Sequence, residues 1–324
     1  MLGGEGDAHD ITSLQLVIAE EAHVLSETAP FLISLAQWSL HRRIIGPALS
    51  PLRSWYEAYI LSRFGPPDRF RGDLDPLDFP VVARREFGLG AVEYTGYFYA
   101  TRLRSMTYLR ELKTRADGEG VRGLVVACGA EGAIGDPDAK ERRQVVQRHL
   151  KWLDMAAHLG CHSVSVRAGS AGSADEQARL VADGLGELAD WGRAHGLSVL
   201  VENHYGPTSD GEWLANMLAL ADRPNLGFSP DWGNFDSAQA DERYDAFASM
   251  MPHARAVTAK CYDFDARGNE TTLDFRRLVR IAADANYRGY FGIEYEGQRL
   301  SEADGIHACK ALLESIRENE LAPA

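Results

Sequence analysis

Eight short runs of β-branched and aromatic residues recur along this chain, separated by amphipathic stretches of helical length. They are FLISLAQWS from Phe31, GAVEYTG from Gly90, VRGLVVAC from Val121 and HSVSVRAG from His162. LSVLVENH from Leu197, NLGFSPDWG from Asn225, ARAVTAKC from Ala254 and YFGIEYEG from Tyr290 complete the set. Strand runs that alternate with helices build βαβ units, and hence a parallel sheet. Eight of them, at a spacing of about 35 residues, select a closed (β/α)₈ TIM barrel over an open doubly wound sheet. The fold class is therefore α/β.

The intervening stretches read as helices. In DAKERRQVVQRHLKWLDMAAHLG the apolar residues Val145, Leu150, Leu153, Met155 and Ala157 suit one helix face. SADEQARLVADGLGELADWGRAHG ends on a glycine, the usual residue just past a helix. Arg142, Arg143 and Arg148 lie among acidic neighbours and read as a solvated face. One interval is irregular: the connection between the first two strands is elongated and carries its own helix. No linker divides the chain, so residues 31–320 form one barrel domain. Residues 1–30 form an N-terminal extension, with a helical segment over Leu14 to Ser26.

Composition narrows the partners. Of 324 residues 45% are hydrophobic, enough for a sizeable core, and the net charge is −13. That balance argues against nucleic acid, whose phosphates require clustered Lys and Arg. No apolar run approaches the roughly 18 residues of a membrane span. Nor does the N-terminus show a basic then apolar signal pattern. Cys128, Cys161, Cys261 and Cys309 are widely spaced and form neither a zinc motif nor a disulfide framework. A cytoplasmic protein with reduced thiols and a small-molecule partner is the expectation. The long connection shapes either a pocket rim or a subunit contact, so a homo-oligomer stays open.

Function is signalled by position. Glu93, Glu202, Asp231 and Glu294 each fall at or near the C-terminal end of a strand run. In a barrel those ends converge on one mouth, where active sites are built. Carboxylates gathered there repel one another and need a positive partner. The candidates are a divalent metal, for which oxygen ligands favour Mg²⁺ or Mn²⁺, or the side chains of Lys260 and Arg167. A metal at such a place polarises a carbonyl and acidifies the adjacent C–H, while a spare carboxylate moves the proton.

The segments VEYTGYF, LVENHYG, PDWGNF, AKCYDFDARGNE and GYFGIEYEG, in this order, resemble the xylose-isomerase-like sugar isomerase/epimerase superfamily. The likeness runs from about Phe31 to Leu313. It implies a divalent metal held at Glu202, Asp231 and Glu294, with Glu202 and Glu294 doubling as the acid/base pair. The resemblance places a fourth ligand, histidine, at position 258 in a pattern such as HAK, and this chain has Thr258 in TAK. Two outcomes follow. The three carboxylates hold a metal more weakly, or Lys260, on the same strand face, neutralises them without one.

Around this centre, Glu93, Arg167, His204, Trp232, Glu296 and His41 are candidate substrate contacts, and Lys260 is a candidate catalytic group. Each also has an ordinary role open to it. The carboxylates and Arg167 can be ion-pair partners, His41 a loop residue, and Trp38 and Trp232 packing groups. Lys260 is either a counter-ion or, if desolvated, a base or Schiff-base nucleophile. The leading expectation is a sugar isomerase or epimerase working by proton transfer beside a carbonyl. Its alternatives are a lyase or dehydratase using the same deprotonation, and a non-catalytic sugar-binding barrel.

Overall fold

The computed structural model describes residues 29–46, 72–100, 105–129, 131–235 and 241–321. The expected helix over Leu14 to Ser26 lies outside the described residues, as does most of the connection after the first strand. Eight parallel strands form the sheet: β1 (Leu32–Ala36), β2 (Ala91–Thr95), β3 (Arg122–Ala127) and β4 (Ser163–Arg167). β5 (Ser198–Glu202), β6 (Leu226–Phe228), β7 (Val257–Cys261) and β8 (Tyr290–Tyr295) follow. Their order is β6-β5-β4-β3-β2-β1-β8-β7. Isolated bridges between Phe228 and Ala254, and between Asp231 and Thr258, join the two outer strands. The curl towards closure is therefore completed at a thin seam.

Among the described residues nine α-helices surround the strands. They are α1 (His41–Ile45), α2 (Phe79–Arg85), α3 (Met106–Gly118), α4 (Ala139–Leu159) and α5 (Ala174–Ala194). α6 (Gly211–Ala221), α7 (Glu242–Met250), α8 (Phe275–Asp284) and α9 (Glu302–Glu320) complete them. None is long and apolar enough to cross a membrane. α4 starts where Asp138 accepts from the N–H groups of Lys140 and Glu141, and stops at Gly160 with φ 74°. Both ends satisfy backbone groups that a helix terminus leaves open. Its buried face is Val145, Val146, His149, Trp152, Leu153, Met155, Ala156 and Leu159. Ala157, expected on that face, is exposed, and Leu150 is only half-buried. The Trp152 and His149 side chains take the inward positions through hydrogen bonds to Glu131 and to the Val145 carbonyl. Arg142 also departs from a solvated role, because it bridges α4 to Asp183 of α5 at 2.8 Å.

Two packing layers result. The main core lies between strands and helices, and includes Val164, Val199, Phe228 and Ile293 from the sheet. A small second cluster comes from the strand residues Ala91, Leu124, Val125 and Leu200 with Ala256, just before β7. Side chains alternate along a strand, so Glu202 sits two residues above Leu200 on the same face. By the same alternation Lys260 stands above Thr258, and Glu294 above Gly292, in neighbouring register. The apolar floor thus ends where the charged layer begins.

Candidate active site

Above that floor is a cavity of about 310 Å³, open at the C-terminal ends of the strands. Glu202, Lys260, Glu294, Glu296, Arg167 and His204 all line it. At its centre Lys260 Nζ stands 3.2 Å from Asp231 Oδ2, 3.0 Å from Glu294 Oε1 and 3.5 Å from Glu296 Oε1. It donates to Asn234 Oδ1 at 3.0 Å. Burial draws the ammonium down, but Asp231, Glu294 and Glu296 outweigh it and hold Lys260 well above the ordinary lysine range. A lysine held charged in this way is a cation and hydrogen-bond donor rather than an amine nucleophile. Burial pushes Glu294 upward, with Lys260 opposing, so this carboxyl is adjusted towards carrying a proton.

Asn234 organises the carboxylates. Its Nδ2 donates to Glu202 Oε1 at 3.1 Å and to Asp231 Oδ2 at 2.9 Å. Asp231 Oδ1 accepts from the Gly233 N–H at 2.8 Å. Asn203, fully buried, clamps the Asp231 backbone in both directions, at 3.0 and 2.7 Å. Neither asparagine was an expected site residue. Their signal lay in the motifs themselves, since Asn203 follows Glu202 and Asn234 follows Asp231 by three.

The cavity wall holds further residues. Trp38 donates from Nε1 to Glu296 Oε1 at 2.7 Å. Tyr97, Ser165 and Cys128 also line the space. Tyr205 is half-exposed at its edge, with φ 60° and ψ 174°, a region that is nearly exclusive to glycine. Its N–H donates to the Asn234 carbonyl at 2.9 Å. The His204 ring meets the Tyr205 ring edge-on, and burial together with Arg167 lowers its pKa.

Three expected substrate contacts are placed elsewhere. Trp232 is fully buried outside the barrel, with ring centroids 4.9 Å from Phe275 and 5.3 Å from Phe291. It follows Asp231 directly, so alternation turns its indole away from the axis. His41 stacks behind Trp38 at 5.0 Å, and Trp38 is the one that lines the cavity. Glu93 lies inside the barrel, where it accepts from Ser34 Oγ at 2.8 Å. A Cβ on Gly292 would come within 2.1 Å of Glu93 Oε1, so only glycine leaves room for this carboxyl. Burial raises the Glu93 pKa to about 7.

A sequence profile described as a xylose isomerase-like TIM barrel matches residues 82–318. The chain belongs to this family. Among solved structures, a 3-keto-D-glucoside 4-epimerase from E. coli superimposes with a TM-score of 0.61 at 19% identity. That match covers 74% of this chain and 94% of the epimerase. A family protein from Mycobacterium smegmatis, solved with magnesium, gives 0.58 at 16% identity, over 90% and 97% of the two chains. A C-glycoside deglycosidase alpha subunit from Arthrobacter globiformis is 42% identical over 64 residues, 19% of this chain and 18% of the subunit. The chain thus spans about a fifth of that curated relative.

The family likeness implies a divalent ion, and the donor set here tests it. Glu202, Asp231 and Glu294 do converge, but the fourth position is a threonine hydroxyl, a poor substitute for imidazole. Asp231 already accepts from Gly233 and Asn234 and pairs with Lys260, while Glu294 faces the same ammonium. Among the described residues no group of three or more His, Cys, Asp or Glu side chains is disposed to hold a metal. As arranged, these residues do not fit a divalent ion.

Proposed function

We propose that this chain is a sugar isomerase or epimerase that moves a proton on the carbon beside a carbonyl. The observation that carries this reading is that Glu202 and Glu294 open onto one cavity together with Lys260, which pairs with Glu294 directly and reaches Glu202 through Asn234. One carboxylate takes the proton from the carbon next to the carbonyl, and the electron pair moves onto the carbonyl oxygen. The Lys260 ammonium exchanges its 3.5 Å contact with Glu296 for that oxygen and stabilises it by hydrogen bonding. Return of the proton to the former carbonyl carbon, with the neighbouring hydroxyl proton passing to the enolate oxygen, gives an isomer; return to the opposite face of the original carbon gives an epimer. No electron or group is lost, so no further reactant is required. A cavity of about 310 Å³ accommodates one sugar unit. The 3-keto-glucoside epimerase of the same fold supports a keto-sugar as substrate.

The test is solvent deuterium incorporation into keto-sugars, followed by NMR. Glu202→Gln and Glu294→Gln should each lower the rate by about 100-fold or more, the usual worth of a positioned acid or base. Full turnover in both variants would show the assignment to be wrong. A second reading, β-elimination from a keto-glycoside, is favoured by the 64-residue match to the deglycosidase subunit. It starts with the same deprotonation and gives an unsaturated product, which mass spectrometry distinguishes from an isomer.

A further inference from the structure

We propose that the ε-ammonium of Lys260 is the resident cation of this site, and that the chain binds its substrate without a divalent metal. This deepens the reading above and rests on it only where turnover is concerned. Of the four positions to which the family likeness assigns metal ligands, two, Asp231 and Glu294, are within 3.2 Å of this nitrogen. A third, Glu202, is tied to the same group through Asn234, whose amide donates to Glu202 while its carbonyl accepts from Lys260. The fourth is Thr258, on the strand face that Lys260 shares.

The path of the lysine stem is built into the fold. A Cβ on Gly233 would lie 2.5 Å from Lys260 Cδ and 2.8 Å from its Cγ, so the glycine leaves the channel through which the stem runs. The Lys260 side chain is only 5% exposed and has four oxygen partners. Burial of an ammonium is costly unless it is paired and hydrogen-bonded, and here both conditions are met. An ion coordinated by the same Asp231 and Glu294 oxygens would stand within about 4 Å of the ammonium, where 2+ and 1+ repel strongly. The HAK pattern keeps this lysine beside a histidine ligand; with Thr258 in place of that histidine, the ammonium is left as the cation that these carboxylates hold. The ligand recognised is a neutral polyol whose carbonyl or hydroxyl oxygen replaces Glu296, the most distant of the four partners at 3.5 Å, on the ammonium.

The experiment uses the purified full chain. Metal content is measured by plasma mass spectrometry, and MnCl₂ and MgCl₂ are titrated by calorimetry and thermal unfolding. Three proteins are compared: wild type, Asp231→Asn, and Lys260→Met combined with Thr258→His. Wild type should carry no stoichiometric metal and show no shift in Tm. The double variant should gain Mn²⁺ binding, with Tm rising about 5 °C at saturation. One Mn²⁺ per wild-type chain, lost in Asp231→Asn, would overturn the proposal, and that measurement needs no folded double variant. A folded double variant that binds no Mn²⁺ would also count against it, because the lysine would not be what keeps the ion out. Turnover separates the two readings. A metal-free chain inactive on keto-sugars removes the isomerase reading and leaves the cation standing, and turnover only with Mn²⁺ does the reverse.

Discussion

Asn234 Nδ2 stands 3.1 Å from Glu202 Oε1, and this one amide ties the end of β5 to the loop that follows β6. The second hydrogen of the same group goes to Asp231, and the carbonyl faces Lys260. Asn234→Asp removes both donors and sets a further carboxylate beside two others. Breaking a buried network of this type costs about 3 kcal/mol. We expect Asn234→Asp to be less stable than Asn234→Ala at neutral pH in urea titrations. Equal stability would mean that charge crowding is not what Asn234 relieves.

The Glu93 carboxyl makes stability fall as pH rises. Its folded pKa of about 7 is above the ordinary 4.5, so the unfolded chain loses this proton first. Below about pH 4.5 the group is protonated in both states and contributes nothing; between 4.5 and 7 the penalty grows. Above 7 it is complete, at about 3 kcal/mol. Glu93→Gln keeps the acceptor for Ser34 and removes the titration. The variant should match wild type at low pH and exceed it by about 3 kcal/mol above neutrality, as read from denaturant midpoints. A constant difference at all pH values would rule out Glu93 as the source.

Tyr205 carries backbone strain at the cavity edge, which costs about 1–3 kcal/mol for a side chain other than glycine. Tyr205→Gly should therefore raise stability by about 1 kcal/mol once the greater chain entropy of glycine is subtracted. The same change strips an aromatic wall from the cavity, so KM should rise with kcat little altered. A less stable glycine variant would show that this conformation holds no strain.

Much of this arrangement was legible in the residues. All eight strand runs hold a strand, and Glu202, Lys260 and Glu294 meet because period-two alternation turns them to the same face as their registered neighbours. What local pattern did not disclose was direction beyond the strand ends. β6 stops at Phe228, and Trp232 turns outward from a bridge rather than from a continuous ladder. His41 is placed by the 3₁₀ turn that carries Trp38, a feature without a sequence period. Asn234 is not marked by local pattern because two of its three partners, Glu202 and Lys260, come from β5 and β7, and only Asp231 is near it in the chain.

Asp231 and Trp232 are adjacent in the chain yet belong to different worlds, one inside the charged layer and one among Phe247, Phe275 and Phe291. The peptide between them works as a rivet through the barrel wall, anchored by aromatic packing on the outside. Distance from the substrate is accordingly a poor guide to influence in this protein. A methylene lost from Phe247 or Phe275 slackens the rivet and reaches Lys260 through Trp232 and Asp231, so the aromatic shell outside the barrel bears on the charged layer inside it.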